Sequence, residues 1–449
     1  MSDFNIKCDK MEEYCGVLGV FSQNKTSLNN LFYAGLNALQ HRGQEGAGIS
    51  WVDDSILNHK KLGLAFNLFK DSIDYNSNIG IGHLRYSTNP CKSIDSLGPF
   101  ATKDFAIAHN GHLTWEDDFT GSDTHRLLSI IKSHDSHSIV DKLLDICPNL
   151  KGSYSFTILT KDCLIGVRDP LGIRPLVLGL LHDNTWILAS ESCAIEAMNG
   201  RIIRMINPGE IIKIDHSGCH SFSLPLIQKP TICAFEYIYF SRADSIMDDC
   251  SIYDFRYNSG KSLAKSFNFD DADIVVATPD SGIPAAMGYA FESKLPYVDG
   301  FVKNHYVGRT FIEPNDNLRK RHLKLKLNVL KQNIVGKNIV LIDDSLVRGN
   351  TAKYMISELK NKGANKIYFL IASPPIHYPC FLGIDTKSHS ELIAYNNSNE
   401  DIAHILNAEF VGFLNSTDLY NLTNSKTLCL NCFKEDDNYE TIHNTNGCC

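Results

Sequence analysis

Residues 339–351, IVLIDDSLVRGNT, carry the densest set of chemically useful side chains in the sequence. Two adjacent acids, Asp343 and Asp344, follow a short apolar run. Side chains alternate along a strand, so two neighbouring carboxylates are tolerated only where the strand gives way to a loop. Carboxylates there can hold a divalent cation or accept bonds from sugar hydroxyls. Ser345, Arg348, Gly349, Asn350 and Thr351 come next and lead into a helical pattern. A helix N-terminus offers backbone N–H groups to an anion. Gly349 permits unusual backbone angles and Thr351 supplies a hydroxyl. As bare sequence, a solvated acidic loop capping a helix also fits.

The cysteines are the second chemical resource. Cys15 opens CGVLGVF, a strand pattern, and alone it reads as inert packing. Cys429 and Cys432 form a CxxC, which zinc, redox exchange or chance would each explain. The chain has 14 cysteines. Residues 1–14, MSDFNIKCDKMEEY, lack the apolar run of a secretory signal, so a disulfide framework is not expected. Metal binding, catalysis and burial remain as uses; Cys448 and Cys449, in a polar tail, receive none.

The elements that must position these groups divide into two patterns. Residues 15–228 are strand-rich, with short apolar runs at 16–21, 105–108, 155–159 and 186–189 and helical patterns at 31–39 and 124–132. Pro225 and Pro230 suggest a boundary near residue 229. The second half alternates strand and helix: runs at 274–277, 338–342 and 366–372, and a helical stripe of Ala352, Met355, Ile356 and Leu359 over 352–362, closed by Gly363. That order predicts a parallel sheet with right-handed crossovers. Ligands of such sheets sit beyond the carboxyl ends of the strands, where the polar loops 278–282 and 343–351 fall.

A length of 449 residues suits two or three domains, and 43% hydrophobic with 21% charged residues is ordinary for globular proteins. A net charge of −8 argues against a nucleic-acid binder, and no apolar run is long enough to span a membrane. A cytoplasmic enzyme is expected.

Several segments together resemble one family. The segment around Asp343 and Asp344 resembles the phosphoribosyl-diphosphate motif of type I phosphoribosyltransferases. ATPDSGIPAA resembles that family's pyrophosphate loop, with Ser281 as the hydroxyl near a metal. KNHYVGRTFIEP, residues 303–314, resembles the mobile loop of the amidophosphoribosyltransferases, with Lys303 and Arg309 meeting diphosphate charge. The basic run 319–326 reads as a solvated face. After Cys15 come ALQHRGQEGAGI, GHLRYST, AHNGHL and GSDTH, which resemble the glutaminase domain of the same family, an N-terminal nucleophile hydrolase.

The resemblance implies an α+β N-terminal nucleophile hydrolase domain of four αββα layers over 15–228, then an α/β type I phosphoribosyltransferase domain over 229–449. It implies Cys15 as nucleophile, with its own α-amino group as base, so removal of residues 1–14 as a propeptide. Asn110 and the Gly111 N–H would form the oxyanion site, and Arg85 and Asp123 would take the α-carboxylate and α-ammonium of glutamine. Ser345, Arg348, Gly349, Asn350, Thr351, Lys303 and Arg309 would bind phosphoribosyl diphosphate. Ser281, Asp343 and Asp344 would associate with one Mg2+ per subunit. Read alone, Arg85 could be a surface pair and Asn110–Gly111 a hairpin turn. His41 and His83 read as structural.

Cys233 in ICAFEYIYF and Cys380 in PPIHYPCFLGID stand in contexts similar to those family members that hold a [4Fe–4S] cluster, with Cys429 and Cys432 completing the set. On spacing alone zinc fits four thiolates as well. The implied reaction converts glutamine, phosphoribosyl diphosphate and water to 5-phosphoribosylamine, glutamate and diphosphate, at the first committed step of purine synthesis. A homotetramer, an internal ammonia channel and feedback inhibition by purine nucleotides are implied with it. His112, His125, Leu171, His305 and Asn350 depart from the usual family pattern; at position 125 the family usually has Glu. Two rivals are another glutamine amidotransferase, for which the DDSLVRG loop would have no use, and a non-enzymatic phosphoribosyl-diphosphate sensor, which would have no use for Cys15, Arg85, Asn110 and Asp123.

Overall fold

The computed structural model describes residues 15–86, 93–115, 119, 121–226, 229–304, 327–384, 386, 388–423 and 427–434. Residues 1–14, His305, Arg309, the basic run 319–326, Cys448 and Cys449 lie outside the described residues.

The apolar runs of the first half build two antiparallel sheets stacked face to face. One has seven strands in the order Arg201–Met205, Val177–Leu180, Trp186–Ala189, Gly16–Ser27, Asn76–Arg85, Gly46–Val52 and Ile56–Leu62. The other has six, from Gly218–Ser223 through Glu210–Asp215, Leu164–Arg168, Lys151–Thr160 and Phe105–Thr114 to Phe100–Ala101. Alternation along the strand explains the layers. Val17 and Phe21 point into the space between the sheets, against Ala106, Ala108 and Leu164. Leu18 and Val20 point outward, under the helices Asn29–Ala38 and Ser192–Ala197. The helices Asp123–Ser133 and Ile139–Ile146 cover the outer face of the second sheet through Leu127, Ile131, Val140 and Leu143. The result is the four-layer αββα arrangement.

The second half forms a parallel sheet of four strands: Ile274–Ala277, Ile339–Asp343, Ile367–Ile371 and Phe410–Phe413. Both faces are buried, which is why these strands read as continuous apolar runs. Val275, Val340, Ile342 and Leu370 pack on one side; Val276, Ile339, Leu341 and Phe369 pack on the other. The helix Asn350–Asn361 buries Ala352, Met355, Ile356 and Leu359, the stripe expected from the sequence. It begins two residues earlier than the pattern suggested, because Gly349, at φ 82°, turns the chain directly into the first helical turn. Among the described residues no helix is long and apolar enough to cross a membrane.

The alternative local reading of Asn110–Gly111 as a hairpin turn does not hold; both residues lie inside the strand Phe105–Thr114, paired with Ser155 and Tyr154. Gly111 has φ 149°, and a Cβ there would lie 2.1 Å from the Ser153 carbonyl oxygen, so only glycine fits.

Candidate functional site

The strand after Cys15 runs antiparallel to Asn76–Arg85, with Gly16 opposite Leu84, so Cys15 and Arg85 emerge at the same end of the sheet. Cys15 Sγ lies 3.8 Å from the Tyr86 carbonyl oxygen. Two residues on, the Val17 N–H donates to Ser190 Oγ at 2.9 Å, fixing the start of the strand. The facing sheet brings in Asn110. The two sheets are joined here by His83, whose Nε2 lies 3.0 Å from the His109 carbonyl oxygen. Burial pushes the His83 imidazole down to about 3, against the opposing pull of that carbonyl, so the ring is neutral and Nε2–H donates. His83 is structural, as expected; its role in tying the sheets together beside the site was not legible in sequence.

Asn110 is 1% exposed, and its Nδ2 makes no hydrogen bond among the described residues. Arg85 donates to the Ser96 carbonyl, while its buried Nε likewise makes no hydrogen bond among the described residues. Asp123 opens its helix and accepts from the Leu113 N–H at 3.1 Å and the Thr124 N–H at 2.7 Å. The first contact ties the helix start to the strand that carries Asn110. A cavity of about 460 Å³ opens beside Arg85, walled by Ser93, Asp95, Ser96, Ser122 and His125.

At the carboxyl end of the parallel sheet, Asp343 is the last strand residue and Asp344 begins the loop. Both are buried. The Asp344 carboxylate accepts from Ser281 and, at 2.6 Å, from Ser345; Asp343 Oδ1 accepts the Asp344 N–H at 2.9 Å. Ser281 thus joins the loop after the first strand to the loop after the second. Arg348 is ion-paired with Glu391 at 2.6 Å, and Lys303 with Asp280. The helix beyond Gly349 has no side-chain N-cap, which suits its first turn to an anion. A cavity of about 300 Å³ lies between Pro279, Asp280 and Lys303. Two carboxylates and a hydroxyl are hard oxygen donors of the kind Mg2+ takes.

The four expected cysteines also converge. Cys233 and Cys429 are direct partners in a short parallel pairing. The Cys432 carbonyl accepts from the His377 and Tyr378 N–H groups at 2.9 and 3.1 Å, just ahead of Cys380. No disulfide joins any two of them. Burial raises Cys233 and Cys432, and the other three thiols of the set add to the rise in Cys432. Among the described residues no trio of His, Cys, Asp or Glu is already in metal-binding geometry. Backbone pairing fixes the neighbourhood of the four cysteines, whereas the direction of each thiol is a matter of rotamer.

Sequence reasoning missed the buried charges between the halves. Arg42, on the glutaminase side, pairs with Glu191 and, at 2.6 Å, with Glu236 in the segment that follows Cys233. Burial opposes the Arg42 charge, but the two carboxylates hold its pKa above the ordinary arginine value. Nothing in the spacing of residues 42, 191 and 236 signals this contact.

The fold and sites define a class: a glutamine-hydrolysing αββα domain joined to a phosphoribosyl-binding parallel sheet. The family model described as a glutamine amidotransferase domain matches residues 85–197. An amidophosphoribosyltransferase of Archaeoglobus fulgidus is 40% identical over 421 residues, covering 89% of this chain and 92% of that one. That of Bacillus subtilis is 37% identical, covering 90% and 88%. The solved structure of the B. subtilis glutamine phosphoribosylpyrophosphate amidotransferase with ADP and GMP superposes with a TM-score of 0.86 at 36% identity, covering 94% of this chain and 97% of that one. A second, described as the allosteric regulatory enzyme of purine biosynthesis, gives 0.87 at the same identity, with 94% and 96% covered. The chain belongs to the amidophosphoribosyltransferase family. It is an enzyme that uses glutamine and phosphoribosyl diphosphate at the entry to purine synthesis.

Proposed function

We propose that Cys15 is the nucleophile, freed by cleavage between Tyr14 and Cys15, and that its α-amino group takes the thiol proton. The thiolate adds to the glutamine side-chain amide carbon. Asn110 Nδ2 and the Gly111 N–H receive the negative charge that develops on the amide oxygen. Collapse expels ammonia and leaves a thioester, which water converts to glutamate. Arg85 holds the α-carboxylate and Asp123 the α-ammonium. Ammonia passes internally and attacks C1 of the ribose, and diphosphate leaves.

The ribose hydroxyls lie against Asp343 and Asp344. The 5′-phosphate is received by Ser345, Arg348, Gly349, Asn350 and Thr351, and the diphosphate by Lys303 and Arg309. Ser281, Asp343 and Asp344 would hold one Mg2+, which neutralises diphosphate charge when bound. Cys233, Cys380, Cys429 and Cys432 would hold a [4Fe–4S] cluster; their convergence supports this reading. The glutaminase domain takes 15–228 and the transferase domain 229–449. We further propose a cytoplasmic homotetramer inhibited by purine nucleotides.

The glutaminase reading rests most on Asn110. A buried donor with no acceptor costs about 1–3 kcal/mol, a cost offset when a substrate oxygen takes the bond. The test is intact mass and metal analysis of anaerobically purified protein, with glutamate and phosphoribosylamine measured together. A brown protein beginning at Cys15, making both products in equal amounts, is expected. A colourless, active protein that retains Met1 would overturn the cleavage and the cluster together.

A further inference from the structure

His125 lines the cavity beside Arg85 and Asp95. Its ring packs on Phe100 with centroids 4.1 Å apart. Its Nδ1 lies 2.8 Å from Ser122 Oγ. That hydroxyl caps the helix by accepting the His125 backbone N–H at 3.3 Å, so its own proton is available to donate. Nδ1 is the acceptor within reach, and the Ser122 hydroxyl donates to no other group among the described residues. An imidazole that accepts at Nδ1 carries its proton on Nε2. Nε2 makes no hydrogen bond among the described residues. Burial, Lys60 and Arg85 all lower the basicity of the ring, with only Asp123 opposing, so the imidazole is neutral near pH 7.

We infer that His125 is a glutamine-binding residue whose Nε2–H donates to the substrate α-carboxylate alongside the Arg85 guanidinium. The inference rests on the placement of glutamine between Arg85 and Asp123 proposed above. The charges around the cavity sort the two ends of the substrate. Arg85 and the His125 N–H offer donors, which the carboxylate needs. Asp95, in the cavity wall, and Asp123, next in sequence to the lining residue Ser122, offer acceptors, which the ammonium needs. A neutral histidine protonated on Nε2 cannot accept from the ammonium at that atom, so its partner is the carboxylate. A carboxylate side chain, usual in the family at this position, could not make the bond. The Ser122 cap and the Phe100 contact hold the ring in place.

The test compares KM for L-glutamine and for L-glutaminamide, in which an α-carboxamide replaces the carboxylate. His125→Leu is expected to raise KM for glutamine about tenfold, the loss of one hydrogen bond to a charged group. Its kcat should stay within about twofold and KM for glutaminamide should not move, since the bond is to the missing carboxylate. His125→Gln, whose amide N–H reaches the Nε2 position, should recover most of the affinity. Turnover with ammonia shows whether each variant is folded. If the leucine variant is not, His125→Gln against His125→Asn gives the same answer, because the asparagine amide reaches only the Nδ1 position. Equal changes for both substrates, or equal KM values in the glutamine and asparagine variants, would overturn the inference. Arg85→Leu separates the two levels. If it raises KM for glutamine while His125→Leu does not, only the role of His125 fails; if neither moves KM, the placement of glutamine fails with it.

Discussion

The glutaminase end and the phosphate end solve opposite problems. At the glutaminase end the groups are scattered over more than 100 residues and brought together by two stacked sheets. Cys15 immediately precedes one strand, Arg85 ends another, and Asn110 sits in the facing sheet. At the phosphate end, Asp343 to Thr351 are consecutive and need only one strand–loop–helix unit. The first site depends on sheet-to-sheet registration, held by His83 and its bond to the His109 carbonyl. The second depends on local backbone geometry, held by Gly349 and by the Ser281 contact to Asp344. A scattered site should therefore be sensitive to packing and protonation in the core, and a contiguous one to the chemistry of its own loop.

Substitutions can break that comparison from either side. The largest effect is expected for Cys15→Ala, which should lower glutamine-dependent turnover by at least about 10⁴-fold while ammonia-dependent turnover persists. Loss of both in a folded protein would mean that the two ends are not separate sites. Asn110→Ala should follow, at about 10²–10³-fold in kcat with glutamine, read against unchanged kinetics with ammonia. Asp344→Asn should act on the other side of the divide. A fall on the order of 10²-fold with either nitrogen source is expected, accompanied by loss of the Mg2+ dependence.

Smaller effects sharpen the contrast. Gly349→Ala puts a side chain into a left-handed residue, with its Cβ 2.5 Å from Ile393 Cδ1. A penalty of about 1–2 kcal/mol is expected, seen as a raised KM for phosphoribosyl diphosphate and no change in KM for glutamine. The mildest effect is one of pH. Folding holds His83 near 3 by burial, below its unfolded value of about 6.5. The unfolded chain then binds the extra proton as pH falls below about 6.5, so stability is present above that pH and declines from there towards 3. Thermal unfolding followed from pH 7.5 to 5 should show this slope, and His83→Gln should flatten it. An unchanged slope would mean that the buried imidazole does not dominate acid sensitivity.

The same contrast explains what the sequence disclosed. The strand–loop–helix unit around Asp343 and Asp344 was legible because strand, acids, glycine and helix stripe are contiguous; the strand Ile274–Ala277 lies where the apolar run predicted it. The glutaminase residues were legible as motifs, but their assembly was not. Asn110 and Gly111 had an equally good local reading as a turn, and only pairing to Ser155 and Tyr154 removes it. The Arg42 contacts to Glu191 and Glu236 were invisible because no local pattern marks a charge that will be buried between two halves. His125 stands out in the sequence as a departure, yet its meaning requires the Ser122 hydroxyl beside its Nδ1, which no local pattern marks.

The central claim is that one chain takes nitrogen from glutamine at the first end and spends it at the second. Turnover of glutamine labelled with ¹⁵N at the side-chain amide, in excess unlabelled ammonium, tests it most directly. Phosphoribosylamine carrying the label undiluted is the expected result. Label diluted to the proportion in bulk solution would contradict the account.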